Sequence, residues 1–212
     1  MKKYHKIQTI FKRDMTNRGK IIETEYSMPE FDYLKNNQWV FTEKVDGTNI
    51  RVVWNGDKVI FGGKTDNAQI PVFLLYKLQE LFEGTQNRQK LLKMFGTEGS
   101  VCLYGEGYGN KIQKAGNDYI KDGVSFVLFD VLITNYWLER ENLEDIAKFF
   151  NIEIVPIIGE GTLTEAVEMT KNGFKSVWGE FNAEGIVLKP KTELFTRKGE
   201  RIITKIKYRD FK

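Results

Sequence analysis

Eight short runs of the chain are dense in Val, Ile and aromatic residues and are bounded by Gly, Asn or Asp, which predicts β-strands. They are QWVFTE (38–43), IRVVW (50–54), KVIFG (58–62), SVCLY (100–104), VSFVLFDVLI (124–133), IEIVPII (152–158), EGIVLK (184–189) and RIITKIK (201–207). Four other stretches space their apolar residues as helices do: 71–82, 86–95, 141–150 and 164–172. Thr164 is the expected N-cap of the last and Gly173 its stop. Asn55-Gly56 between two strands is a hairpin signal, because both residues tolerate positive φ. Hairpins mixed with isolated helices, without a βαβ rhythm, predict an α+β fold with largely antiparallel sheets. No internal repeat or linker-like tract interrupts the pattern, so one domain is expected.

Composition narrows the class. The 212 residues are 41% hydrophobic, enough for a large core, and no apolar stretch approaches a membrane span. The polar N-terminus MKKYHKIQTIFKRD has no signal-peptide apolar region. A single cysteine, Cys102, cannot form an internal disulfide, and a reducing cytoplasm is the expected home. Net charge is only +3, yet residues 1–20 hold seven Lys/Arg against Asp14. Residues 189–212 hold nine against Glu193, Glu200 and Asp210. Basic ends suit either a phosphate-bearing partner or plain solvation.

Several common chemistries are excluded. Gly105, Gly107 and Gly109 lack the dinucleotide-loop spacing, since position 110 is Asn, and no Walker motif occurs. His5 is the only histidine, so no histidine pair for zinc and no Ser-His or Cys-His pair can form. Lysine and carboxylate chemistry is left. Lys44 in EKVDGTN follows a strand and enters a Gly-containing turn, where an amine is held yet reachable. A surface turn lysine fits K-x-D-G equally well. Glu106 in LYGEGYG has small neighbours around its carboxylate, as an ordinary loop Glu also would. Phe129 in FVLFDV is either core or a platform for a base. Glu184 and Lys189 frame the apolar run of AEGIVLKP. Lys205 and Lys207 share one strand face by period-two alternation, so an anion between them would relieve their repulsion.

Taken in order, KVDG, GGKTDN, LYGEGYG, FVLFDV, EGIVLK and TKIK resemble the motifs of the covalent nucleotidyltransferases. These are the ATP-dependent RNA and DNA ligases and the mRNA capping enzymes. The resemblance covers about residues 38–208 and is nearest to phage-type RNA ligases of the nick-sealing branch, in which an Asn follows the KxDG turn as Asn49 does here. It implies an adenylyltransferase fold of antiparallel sheets and flanking helices, with an ATP pocket between sheets. Two departures stand out. Lys64 occupies a place where the family usually has arginine, keeping the charge but losing bidentate geometry. The chain also stops at KYRDFK, so a single domain over residues 1–212 without an OB-fold or C-terminal domain is expected.

The implied activity is ATP-dependent joining of RNA 3′-hydroxyl and 5′-phosphate ends in RNA repair. AMP is carried first on Lys44 and then on the 5′ end. In this reading Glu106 and Glu184 bind Mg²⁺ or Mn²⁺, while Lys205 and Lys207 hold phosphate oxygens and act in catalysis with Lys44. Phe129 stacks on adenine, Glu43 faces it, and Asn49, Lys64 and Lys189 complete the nucleotide site. The partners are RNA ends, with DNA or RNA/DNA hybrids as the alternative, and the expected state is a monomer away from membranes. A minimal DNA ligase and a non-catalytic nucleic-acid-binding relic of the fold stay open as further readings.

Overall fold

The computed structural model describes residues 2–212. In chain order the first strands are β1 (Gln8–Thr9), β2 (Phe11–Asp14), β3 (Lys20–Tyr26), β4 (Trp39–Glu43), β5 (Thr48–Trp54) and β6 (Val59–Gly62). They are followed by β7 (Val101–Gly109), β8 (Val124–Ile133), β9 (Tyr136–Trp137), β10 (Glu153–Ile154), β11 (Ile157–Gly161), β12 (Gly185–Pro190) and β13 (Thr204–Lys207). The helices are α1 (Pro29–Tyr33), α2 (Val72–Phe82), α3 (Thr85–Phe95), α4 (Gly116–Tyr119), α5 (Arg140–Phe150) and α6 (Leu163–Asn172). Among the described residues no helix is long and apolar enough to cross a membrane.

Contacts divide the chain into two compact units, each built on its own sheet. One comprises residues 2–4 with Asp46–Val155, the other His5–Val45 with Pro156–Lys212. In the first, the strands run in the order β10-β8-β7-β5-β6, with β9 paired to β8. All these pairs are antiparallel except β10 with β8. One face of this sheet is apolar: Ile50, Val52 and Trp54 of β5 and Phe126, Leu128 and Val131 of β8 are buried there. Helices α2, α3 and α5 cover that face. Leu74, Leu78 and Phe82, four residues apart along α2, are fully buried in it. Each such side chain contributes roughly 1.5–3 kcal/mol of transfer free energy.

The second unit holds the sheet β1-β13-β12-β4-β11 and the hairpin β2-β3. Trp39 and Phe41 of β4, Ile186 and Leu188 of β12 and Ile206 of β13 make its apolar face, packed against Phe31 of α1 and Leu163, Ala166 and Val167 of α6. The N-cap of α6 is Thr162 rather than Thr164. Its hydroxyl accepts from Glu165 N at 3.2 Å, and Glu165 Oε2 accepts from Thr162 N at 2.7 Å, a reciprocal cap. Gly173 ends the helix as expected.

Other boundaries shift for physical reasons. The run 152–158 is two strands, not one. Pro156 falls between them, so β10 pairs with β8 and β11 pairs with β4, each in a different unit. LYGEGYG continues β7 instead of forming a loop, so Glu106 stands within a strand.

Candidate functional site

Alternation along β4, β12 and β13 decides what the second face of the five-stranded sheet carries. Gly185 pairs with Lys207 and Val187 with Lys205. Lys189 pairs with Val40, and Val187 also pairs with Thr42. Lys189, Lys205 and Lys207 therefore share the face opposite the apolar core, each partly exposed while Ile186, Leu188, Thr204 and Ile206 are buried. Lys44 follows β4, and its backbone N–H donates to Gly185 O at 2.9 Å. Glu184 lies just before β12, with its carbonyl accepting from Tyr208 N at 2.9 Å.

These anchors bring three predicted residues into one ion-paired cluster. Lys44 Nζ is 2.5 Å from Glu184 Oε2, and Lys207 Nζ is 2.6 Å from Glu184 Oε1. The three side chains keep 19%, 11% and 16% of their surface for Lys44, Glu184 and Lys207, so the cluster is screened but reachable. One carboxylate thus holds two ammonium groups that would otherwise repel each other. Gly185 makes the geometry possible. A Cβ there would sit 2.1 Å from Ile206 O and 2.7 Å from Lys207 Cα.

Glu43 does not join this cluster. It pairs with Ile186 on the buried face, and its Oε2 accepts from Val177 N at 3.0 Å. Glu43 Oε1 is buried without a hydrogen-bond partner, and burial raises the carboxyl above its ordinary range against the opposing hydrogen bonds from Ser176 and Val177.

The other unit collects a different set. Across β5 and β7, Asn49 pairs with Glu106 and Arg51 with Tyr104. This is the face of the six-stranded sheet opposite the helices. Phe129 joins it through a β-bulge: Tyr104 pairs with Asp130 and Gly105 with Leu128, leaving Phe129 as the extra residue. Phe129 packs against the Val53, Cys102, Tyr104 and Leu132 cluster. Tyr4 meets its ring edge-on with centroids 5.1 Å apart and donates to Asp130 Oδ2 at 2.7 Å. Cys102 is buried, and burial pushes its thiol up to about 11. Lys64 is exposed in the segment that follows β6.

The aspartate and glycine of KVDG are explained here. Asp46 N donates to the Tyr119 hydroxyl at 3.1 Å, and Gln113 Nε2 donates to Gly47 O at 3.0 Å. A Cβ on Gly47 would lie 2.3 Å from Gly107 O and 2.7 Å from Glu106 Cγ, so only glycine lets the turn approach β7.

Asn49 Oδ1 is buried and has no hydrogen-bond partner, beside the carboxylate of Glu106. That orphaned acceptor and its neighbouring carboxylate suit a hydrated divalent cation. Among the described residues no three His, Cys, Asp or Glu side chains converge as a metal cage. Mg²⁺-type ions held by one or two carboxylates together with nucleotide phosphates need no such cage. At Glu184 a cation competes with two lysines for the same oxygens.

Residues 37–207 match the family model described as RNA ligase. The chain belongs to the RNA ligase family. Solved structures of similar fold include variants of the Naegleria gruberi RNA ligase. The form with AMP and Mn matches at a TM-score of 0.66 and 17% identity, over 98% of this chain and 56% of that one. The form with ATP and Mn gives 0.64 and 19%, over 84% and 52%. The enzyme with PPi gives 0.63 and 18%, over 95% and 56%. The chain thus spans little more than half the length of these matches. Their likeness establishes the mixed fold of antiparallel sheets and flanking helices expected from the sequence.

Three contributors escaped the sequence reading: Arg51, fully buried in β5, and Gln113 and Tyr119, which brace the KVDG turn. A charge inside the apolar run IRVVW was the one available signal. The bracing pair has none, being 66 and 73 residues from its partners.

Proposed function

We propose that the chain is an ATP-dependent RNA ligase that joins 3′-hydroxyl and 5′-phosphate ends through AMP carried on Lys44. The observation that carries this reading is the Lys44–Glu184–Lys207 cluster, lying inside a chain whose family is RNA ligase. A lysine amine attacks only when neutral. Glu184 Oε2 accepts the Lys44 ammonium hydrogen and fixes the direction of Nζ.

In the first step Nζ bonds to the α-phosphorus of ATP, the bond to the β-phosphate bridging oxygen breaks, and pyrophosphate leaves. In the second, a 5′-phosphate oxygen takes the AMP, the P–N bond breaks and Lys44 recovers its amine. In the third, a 3′-hydroxyl attacks the adenylated 5′ phosphorus and AMP leaves with the bonding electrons. Lys207, Lys205 and Lys189 are the point charges that would meet phosphate oxygens, exchanging their present contacts for them. Phe129 offers its ring to adenine, a contact worth on the order of 1 kcal/mol beyond burial. Lys64 and Asn49 complete the polar contacts to the nucleotide and the 5′ end. Glu106 and Glu184 are the carboxylates that would hold Mg²⁺ or Mn²⁺. Such an ion supplies neutralisation of charge on the α-phosphate and on the leaving pyrophosphate. Phosphate-dominated contact with RNA makes binding fall steeply with salt.

Incubation with labelled ATP and Mg²⁺ or Mn²⁺, followed by denaturing electrophoresis and intact mass, tests the first step. One added AMP is expected, lost in Lys44→Ala. An undiminished adduct in that variant sinks the assignment. Sealing of RNA ends by the same preparation tests the remaining steps.

A further inference from the structure

Arg51 is the one arginine of β5 and is fully buried, in a run otherwise made of Ile50, Val52, Val53 and Trp54. Burying a guanidinium is unfavourable unless its donors are satisfied, and a buried ion pair is weak evidence for stability alone. What its donors reach is therefore informative. Arg51 Nε donates to Gly63 O at 2.7 Å, and Nη2 donates to Asp66 Oδ1 at 3.0 Å. Both acceptors lie in the segment after β6, Gly63 buried at its start and Asp66 exposed, and the exposed Lys64 and Thr65 are the two residues between them. Asp66 Oδ2 is also 3.8 Å from Lys3 Nζ. Its carboxyl is held below the usual carboxylate range, first by the Arg51 hydrogen bond.

The span between these acceptors is short and closely packed. Ala68 N donates to Thr65 O at 3.2 Å, closing a turn. A Cβ on Gly63 would lie 2.8 Å from Ala68 Cβ. A planar guanidinium thus pins both ends of a four-residue segment from inside the sheet. Lysine offers one flexible point charge where arginine offers a rigid fork. The aim of Lys64 must then come from the backbone that carries it.

We infer that Arg51 and Asp66 are positioning residues for Lys64, fixing the Gly63–Asp66 segment so that its ammonium is presented to a phosphate group. This rests on the reading of Lys64 as a phosphate contact. The phosphate belongs either to ATP or to the 5′ end of the RNA, and the two are separable by step. Adduct formation on Lys44 reports the nucleotide, whereas AMP transfer to a 5′-phosphate RNA reports the end.

The test is a double-mutant cycle between Lys64→Ala and Asp66→Ala, read in both steps with the KM for ATP and for RNA. Asp66 is itself half exposed, but its removal takes a carboxylate from the buried Arg51 guanidinium, so thermal melting of every variant separates a loss of fold from a loss of aim. Lys64→Ala is expected to slow one of the two steps by about tenfold, and Asp66→Ala to slow that same step by about threefold to tenfold. Coupling makes the second change silent in the Lys64→Ala background. Arg51→Lys keeps the charge without the fork and should reproduce the Asp66→Ala defect. If Lys64→Ala slows a step while Asp66→Ala and Arg51→Lys run at the wild-type rate, the clamp is overturned and the phosphate role of Lys64 stands. Additive effects in the cycle overturn it equally. If Lys64→Ala changes neither step, the phosphate reading falls and the clamp with it.

Discussion

Each sheet buries one face in aliphatic and aromatic side chains, and the two differ in what the other face carries. In the five-stranded sheet that face bears Lys189, Lys205 and Lys207, with Lys44 and Lys207 bound to one carboxylate. In the six-stranded sheet it bears Asn49 and Glu106 side by side, Arg51 turned to a loop, and the ring of Phe129. Under the proposed function the contrast is a division of work. Compact charges suit phosphate, and their worth depends on being paired and partly desolvated. A flat ring suits a base, and its worth depends on shape and packing.

The largest effect should come from breaking the charged face. Glu184→Gln keeps the size of the side chain but leaves two ammonium groups sharing a neutral amide. Protein–AMP adduct formation should fall by about 100-fold or more. Rates measured at saturating ATP, beside melting curves, check this. Survival of near wild-type rates would dissolve the distinction between the two faces.

Next comes Gly185→Ala. The added carbon meets backbone, not a flexible side-chain tip, so β12 and β13 must separate near Lys207. A loss of roughly 2–4 kcal/mol is expected, with adduct formation declining alongside. Denaturant titration measures it. A change below about 0.5 kcal/mol would mean that the cluster does not depend on this close approach.

Phe129→Leu probes the other face. Losing the flat ring while keeping apolar volume should raise the KM for ATP by about threefold to tenfold. Thermal stability should move little. The reverse pattern would return Phe129 to the core.

The smallest effect is a pH dependence. Glu43 has its folded pKa raised by burial, so its favourable contribution is full below about pH 4.5 and is lost as pH rises through the folded value. Glu43→Gln should therefore flatten melting temperature against pH above that point. An unchanged slope would leave the buried carboxyl without influence.

Much of this architecture was legible because it is written in local patterns. The central strands of both sheets and the four long helices lie where Val, Ile and aromatic density and helical spacing placed them. The hairpin β2-β3 was missed. Its residues are mostly exposed and charged, so no buried alternation marks it. LYGEGYG read as a loop because glycine weakens a strand, yet Phe126 and Leu74 fill the space over Gly105 and Gly107 and keep β7 continuous. At the site, Lys44, Glu184 and Lys207 were each singled out by ordered motifs and alternation, but their pairing through one carboxylate was not, since Glu184 was expected on a metal ion. The turning of Glu43 toward Val177 was not foreseeable, because alternation shows its consequence only once the start of β4 is known. Arg51 was hidden for another reason: its partners are backbone and a carboxylate beyond the hairpin.

The burial of Cys102 has a practical consequence for following any of these events by spectroscopy. Burial pushes the thiol well above the ordinary cysteine range, so far less of it is reactive thiolate at pH 7 than in a free cysteine. Buried in one cluster with Val53, Tyr104 and Leu132, it presents little to maleimide or iodoacetamide dyes. The native chain is thus a nearly blank background for labelling. A cysteine introduced at exposed Lys198 or Asp57 would take up a single fluorophore without removing the natural one.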